Sequence, residues 1–361
     1  MKGETISAMD VLRIQLPMKR PLIISDSKQS GYEGVLCRLK VGSDIGWGEA
    51  SPSARVSGET PRTVQRALEG MRQDIIGAEP SLTLIDLDGL RGSKDRCANT
   101  ALDMALHDLV GHIKGRPVSS FFGSKNVKPD IETSVTVNIG DLDETIKEAR
   151  MVRDGMGATC FKVKIGTRPN EDIERLKRLR TEFPNVAIRT DANQGYDLET
   201  ATRVLDELAD LDIQFVEQPL PKDAYQDMAE LRDRVDVPIM ADEMLLSEDD
   251  LERIISTGCA DMINIKLMKV GGLVTAARMA RTAGKAGLGV MVGCMIETGI
   301  AITAGTHLSL AMDEIGYTDL DGQLFLEKDI IKGGVVYRRG RNSLKAGPGL
   351  GLVVNTDRFP G

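Results

Sequence analysis

The rhythm of apolar and polar positions changes twice along the chain, and each change marks a different kind of structure. Over roughly the first fifty residues the two types alternate: ISAMDVLRIQL, then GVLCRLKVG, then IGWGEASP after the turn residues Ser43 and Asp44. A period of two places successive side chains on opposite faces, so these runs predict an antiparallel sheet. Thr60 to Ile76 and Asn99 to Ile113 then carry apolar residues at helical spacing, the second opening on Asn99 as its expected cap. Together they predict an α+β module over residues 1–125.

From about Ile131 short β-rich runs alternate with charged amphipathic segments, which is the pattern of βα units and a parallel sheet. The runs are ETSVTVNI, CFKVKIG, VAIRTDAN, IQFVEQP, PIMADE, MINIKLM, GVMVGC and IGYTDLDG, eight in all. Helix candidates between them include Glu171 to Phe183, Leu198 to Leu211, Ala224 to Val235, Glu248 to Ile255, Gly272 to Ala286 and Ile300 to Ala311. Residues 126–323 therefore predict an α/β fold of the (β/α) barrel type, with a doubly wound sheet as the alternative. Residues 324–361 are rich in glycine and turn formers, KGGVVYRRGRN and then KAGPGLGLVVN, and suit short hairpins that return to the N-terminal module.

At 361 residues the chain has room for one large barrel with an appended domain. A net charge of -8 with no block of like charge argues against a surface built for nucleic acid or an anionic membrane. No segment approaches the roughly 20 apolar residues of a membrane helix, and MKGETISAMDVLRI holds no signal-peptide core, so the expected location is cytoplasmic. Cys37, Cys97, Cys160, Cys259 and Cys294 are odd in number and scattered among apolar neighbours, which predicts reduced core thiols. His107, His112 and His307 stand far apart in helix-like segments, leaving little basis for a histidine metal site or nucleophilic triad.

Chemistry in a parallel barrel collects at the carboxyl ends of the strands. Here those ends carry Lys164, Asp191, Glu217, Asp242 and Lys266, spaced 24 to 27 residues apart, about one βα unit each. A single Asp closing a strand is an ordinary turn former. Five ionisable residues in phase are not explained that way. Lys162 and Lys164 share a face of their strand and both aim inward if Val163 faces the helices. Two inward ammonium groups become tolerable when carboxylates share the site. Asp191, Glu217 and Asp242, with no His or Cys beside them, make a hard oxygen set suited to one Mg²⁺. Such a cation can hold a substrate carboxylate and stabilise the enediolate left when the adjacent α-proton departs. Lysine, with an ordinary pKa of about 10.4, becomes a usable base when a second ammonium, a divalent cation and burial depress it. Lys162 would then tune Lys164. Lys266 faces the site from across the barrel mouth, so that a base on each face inverts a stereocentre. A single active base with one stabilising cation supports elimination or cycloisomerisation instead.

These residues resemble the enolase superfamily in its muconate lactonizing enzyme subgroup. WGEASP, ALDMALHDL, KVK, DANQGY, VEQP, IMADE, INIKLMKVGG and GCMIET occur in order over nearly the whole chain. The resemblance implies an α+β cap over a modified (β/α)₇β barrel, Mg²⁺ on Asp191, Glu217 and Asp242, and acid/base lysines at Lys164 and Lys266. By analogy it also implies a homo-oligomer.

In YTDLDG, Asp319 and Asp321 lie one residue apart and share a face, which suits capture of a substrate ammonium group. Here the sequence looks like the dipeptide epimerases, whose paired aspartates bind the free α-ammonium of a dipeptide. The implied reaction is epimerisation of an L,L-dipeptide at its C-terminal residue. That residue's side chain would meet the first cap loop, KRPLIISDSKQSGY, where Asp26 suits a cationic partner and Lys28 or Arg20 an acidic one. A broad or cationic preference is the expectation. Asn193, Glu243 and Glu297 are expected either to orient the groups around the metal or to cap the following helices, with Glu297 also a candidate for substrate contact. Cys294 is expected to line the pocket, and His307 to be a helix residue without chemistry. An N-acylamino acid racemase or o-succinylbenzoate synthase would use the same lysines and metal without needing the paired aspartates. A non-catalytic scaffold would have little reason to keep five buried charges.

Overall fold

The computed structural model describes residues 5–25, 27–81, 95–123 and 127–356. The alternating N-terminal runs form three antiparallel strands, β1 (Ala8–Ile23), β2 (Lys28–Val41) and β3 (Asp44–Ala50), in sequential order. Among the described residues two helices cover this sheet, α1 (Pro61–Ile75) and α2 (Arg96–Lys114). Thr60 caps α1 by accepting from the Thr63 amide. Asn99 does not cap α2. That helix begins a turn earlier at Arg96, Asn99 is buried within it, and the early Cys97 amide is satisfied by the Glu59 carboxylate at 3.0 Å. A residue from another part of the chain supplies the cap, so the local pattern pointed to the wrong position.

After a short strand, β4 (Asp130–Glu132), come the eight predicted runs: β5 (Val135–Val137), β6 (Cys160–Lys164), β7 (Ala187–Asp191), β8 (Ile213–Glu217), β9 (Ile239–Ala241), β10 (Met262–Lys266), β11 (Gly289–Gly293) and β12 (Ile315–Asp319). They pair in parallel in chain order as one eight-stranded sheet. A parallel bridge between Thr133 and Thr318, with the Ser134 amide donating to the Thr318 carbonyl at 3.2 Å, closes the sheet into a barrel. The helices α3 (Leu142–Arg150), α4 (Pro169–Glu182), α5 (Leu198–Leu208), α6 (Tyr225–Arg234), α7 (Glu248–Thr257), α8 (Leu267–Val270), α9 (Leu273–Lys285) and α10 (Gly299–Ala311) follow the strands. Phe215, Met240, Met262 and Met291, with Tyr317 against them, fill the lower interior as an apolar plug. The buried Arg189 guanidinium lies over the Phe215 and Tyr317 rings.

The expected boundary between residues 125 and 126 falls outside the described residues. The C-terminal segment divides its contacts. β14 (Val335–Arg338) and β15 (Arg341–Leu344) form a hairpin that pairs with β4, while β13 (Ile331–Gly333) pairs with β16 (Leu352–Val354). The segment meets the N-terminal module where Glu327 donates to the Pro17 carbonyl and where Gly349 exchanges hydrogen bonds with Arg116 and Val118.

Buried carboxylates of the N-terminal module join it to the barrel. Glu49, from WGEASP, accepts from the Thr298 and Ala301 amides at the start of α10. Asp103 accepts from the Leu273 and Val274 amides at the start of α9. Each satisfies donors that a helix start leaves open and meets the positive end of the helix dipole. The α2 helix comes this close because Gly46 and Gly48 present no side chain: a Cβ at Gly48 would overlap the Ala101 carbonyl oxygen. Gly48→Ala should therefore lower the unfolding free energy by about 1–3 kcal/mol, read from the midpoint of a urea titration.

Candidate active site

The parity of the strands decides which side chains face inward. Lys162 and Lys164 on β6, Asp191 on β7, Glu217 on β8, Asp242 after β9, Lys266 on β10 and Asp319 on β12 meet inside the barrel near its carboxyl end, all of them buried. Val163 belongs to the apolar core, as the two-residue period requires. The Lys162 ammonium lies 2.7 Å from Asp319 Oδ2, 3.0 Å from Asp191 Oδ2 and 2.8 Å from Glu217 Oε2. The Lys164 ammonium donates to Asp191 Oδ2 at 2.6 Å and to Asn193 Oδ1 at 3.1 Å. Lys266 donates to Asp242 Oδ2 at 2.8 Å.

Burial by itself favours the neutral form of Lys162, but Asp319, Glu217 and Asp191 outweigh it and hold the ammonium well above the ordinary lysine range. Burial likewise acts against the charge of Asp191, and the Lys164 and Lys162 ammonium groups reverse it. Glu217 ends differently. Burial and the adjacent Asp191 push it up to about 8.

Ligand atoms of Asp191, Glu217 and Asp242 lie within 4.8 Å of one another. This buried, all-oxygen trio fits a hard divalent cation, because carboxylates without imidazole or thiolate favour Mg²⁺-type ions. Further bonds fix the trio. Asn264 donates to Glu217 Oε1 at 2.8 Å, and Gln218 Oε1 accepts from the Asp242 and Met244 amides. The backbone takes positive φ at Asn193, Gln194 and Gln218, at the ends of β7 and β8. Strained backbone of this kind persists where the surroundings over-determine it.

The barrel order sets four quarters. The trio is centred on β8, and β12 with its Asp319 stands four strands away, directly opposite. Lys164 on β6 and Lys266 on β10 occupy the remaining two quarters, again four strands apart. Asp321 follows Asp319 into a short 3₁₀ turn, with Oδ2 accepting from the Thr136 amide at 2.8 Å. Asp319 Oδ1 accepts from the Ser134 hydroxyl at 2.7 Å.

A cavity of about 430 Å³ lies between the N-terminal module and this mouth, lined by Lys162, Lys164, Lys266, Asp242, Asp319 and Asp321 among others. Asn193 and Glu243 join in a chain outward from Lys164: Asn193 Nδ2 donates to Glu243 Oε1 at 3.1 Å, and Arg55 donates to the same oxygen at 3.2 Å. Glu297 is buried and accepts from the Met295 amide, with its carboxyl pushed well up by burial and then by Glu49. Cys294 lines the cavity, and all five cysteines are buried free thiols. His307 is buried in α10 away from this site and accepts from the Ser119 amide. Arg20 is paired with Glu148, Lys28 is exposed, and Asp26 lies outside the described residues.

Sequence reasoning missed Lys269, which is fully buried on α8 and donates to the Asp242 carboxylate and to the Asp242 and Asn264 carbonyls. The available signal was a second lysine three residues after Lys266 in INIKLMKVGG, one turn on if a helix follows the strand directly.

Fold and charged strand ends together define an enolase-type barrel. Residues 144–358 match the family described as enolase C-terminal domain-like. The chain belongs to the enolase superfamily and is an isomerase. It is 35% identical over 356 residues to an L-Lys-D/L-Arg epimerase of Methylococcus capsulatus, covering 96% of this chain and 99% of that one. It is 31% identical to an N-succinyl-L-Arg/Lys racemase of Bacillus cereus over 363 residues, 98% of this chain and 96% of that one. Among solved structures it resembles a dipeptide epimerase from Methylococcus capsulatus in complex with Mg and L-Arg-D-Lys, with a TM-score of 0.91, 34% identity and coverage of 97% and 99%.

Lys162→Met would leave Asp191, Glu217 and Asp319 without the cation they share. Breaking such a buried network should cost about 3–5 kcal/mol of stability in metal-free protein, measured by urea unfolding.

Proposed function

We propose that the protein is a Mg²⁺-dependent dipeptide epimerase that inverts the α-carbon of the C-terminal residue of an L,L-dipeptide by two-base proton transfer through an enediolate. The observation that carries this reading is the placement of Lys164 and Lys266 on opposite strands, between the carboxylate trio on one side and Asp319 with Asp321 on the other. Mg²⁺ held by Asp191, Glu217 and Asp242 would supply the positive charge that binds the substrate carboxylate and stabilises the electron pair left by the departing proton.

Lys164, steered by Asp191 and Asn193, removes or returns the proton on one face of the α-carbon. Lys266, steered by Asp242, serves the other face. Asp319 and Asp321 receive the α-ammonium of the N-terminal residue, whose distance from the C-terminal carboxylate sets the reacting carbon between the lysines. Lys162, enclosed by three carboxylates, acts as a fixed charge. The module over the barrel mouth narrows the access of water to these groups, which strengthens each of their charge interactions.

The charge on the cavity wall supports a cationic preference. The described part of the N-terminal module contributes Glu33 and Arg55 as its ionised lining groups. Arg55 is engaged with the Glu243 carboxylate, whereas Glu33 accepts only from the neutral Gln15 side-chain amide at 2.9 Å among the described residues. Glu33 is thus the group whose charge is left for a substrate side chain, and it favours a cationic one.

Incubating a pooled L,L-dipeptide library with protein, Mg²⁺ and D₂O should add one deuteron to each substrate, read by mass spectrometry, with Lys or Arg at the C-terminal position labelled best. Lys164→Ala and Lys266→Ala should each lower epimerisation by at least about 10²–10⁴-fold. No labelling in the dipeptide pool, with labelling of N-acylamino acids incubated in the same way, would instead support the racemase reading, in which Asp319 and Asp321 meet no ammonium group.

Mg²⁺ binding should release protons at neutral pH, because Glu217, held up at about 8 without metal, gives up its proton to become a ligand. Affinity should therefore fall as pH drops below about 8, by up to about tenfold per pH unit for one proton, as followed by titration calorimetry in buffers of different ionisation enthalpy.

A further inference from the structure

Arg20 sits on β1 of the N-terminal module with its side chain 13% exposed, and three structural elements converge on it. Its guanidinium pairs with Glu148 on α3. Nη2 donates to the Thr136 carbonyl on β5 at 3.0 Å. The planar group also lies 4.2 Å from the centroid of the Phe325 ring, in the 3₁₀ turn that Asp321 begins.

Thr136 is the residue whose amide donates to Asp321 Oδ2 at 2.8 Å. The same residue thus accepts from Arg20 through its carbonyl and holds Asp321 through its amide. The neighbouring chain is stitched in as well: Asn138 donates to Glu148 at 2.8 Å and to the Pro21 carbonyl at 3.0 Å, and accepts from the Ile23 amide at 2.8 Å. The outer end of β1 is therefore tied to the barrel beside the paired aspartates.

We propose that Arg20 is a positioning residue for the ammonium subsite, fixing Asp321 through Thr136 and Phe325. The identity of the ammonium as a dipeptide's rests on the function proposed above; the coupling of Arg20 to Asp321 does not.

The electrostatics agree with the geometry. Burial, and then Asp319, push Asp321 up to about 6, while the Thr136 amide and the Arg20 cation pull it down. The other polar groups near Asp321 are the Cys294 thiol, 3.9 Å from Oδ1, and the Tyr337 phenol, with Lys162 beyond on Asp319. The phenol and the thiol carry no compensating charge, so Arg20, itself paired with Glu148, is the cation among these groups that pulls Asp321 down, and its removal leaves the Thr136 amide to oppose Asp319. A protonated Asp321 would hold an ammonium group poorly, since charge-assisted hydrogen bonds are the strong ones.

The test uses the full-length, Mg²⁺-loaded protein labelled with ¹³C in the aspartate carboxyl groups. The Asp321 resonance is assigned by its loss in Asp321→Asn. Arg20→Met should move its titration to higher pH and raise KM for a free-amino dipeptide about tenfold, with less change in kcat. Arg20→Lys keeps the charge but not the planar fork. It should hold the titration near that of the unaltered protein while KM still rises. A merely structural role would lower thermal stability and leave the Asp321 titration in place, and that result in Arg20→Met overturns the proposal. Where Arg20→Met does not fold, an unchanged KM in Arg20→Lys overturns it equally. Absence of epimerisation by the unaltered protein would sink the proposed function instead, because the carboxyl titration needs no turnover.

Discussion

Lys162 holds its charge almost wholly buried at the floor of the cavity, and carboxylates from β7, β8 and β12 close on it at 2.7 to 3.0 Å. Removing any one partner from such a group costs far more than the group contributes as a whole, because the remainder is left charged and unsolvated. The arrangement therefore constrains every strand that enters it. β6 and β7 must hold register so that Lys164 lies level with Asp191, and β7 and β8 so that Asp191 lies level with Glu217. The apolar plug of Phe215 and three methionines beneath it keeps the charged layer at the open end.

The N-terminal module takes part in that constraint. Glu49 and Asp103 each leave the module to cap a barrel helix, and Asp108 bonds both the Trp47 amide and the Leu350 amide, joining β3, α2 and the C-terminal segment. These buried carboxylates are satisfied across the joint, so the module cannot tilt without stranding them. A rigid joint suits a site whose lysines act on opposite faces of one carbon, since a displacement of about 1 Å is enough to spoil proton transfer. The loops that line the cavity are thereby held over the charged layer by contacts made elsewhere.

Much of this was legible from the chain alone, and the reason is repetition. One βα unit recurs about every 25 residues, so charged strand ends at Lys164, Asp191, Glu217, Asp242 and Lys266 announce themselves by phase. The period of two assigns Lys162 and Lys164 to one face without further information. Legibility stopped where a residue's partner is distant in sequence. Arg20 and Glu148 are 128 positions apart, and no local pattern links them. The cap of α2 came from Glu59 instead of Asn99 for the same reason.

The chain's own pattern determined the eight parallel strands, the inward faces and the identity of the charges at the barrel mouth, because each follows from short-range periodicity in one segment at a time. Tertiary structure alone decided which charges meet. It placed Lys269 under Asp242, set Asp321 against the Thr136 amide, and brought Arg20 to the edge of the site. Those pairings depend on barrel closure and on the seating of the N-terminal module, and both are fixed by packing among residues that the sequence keeps far apart.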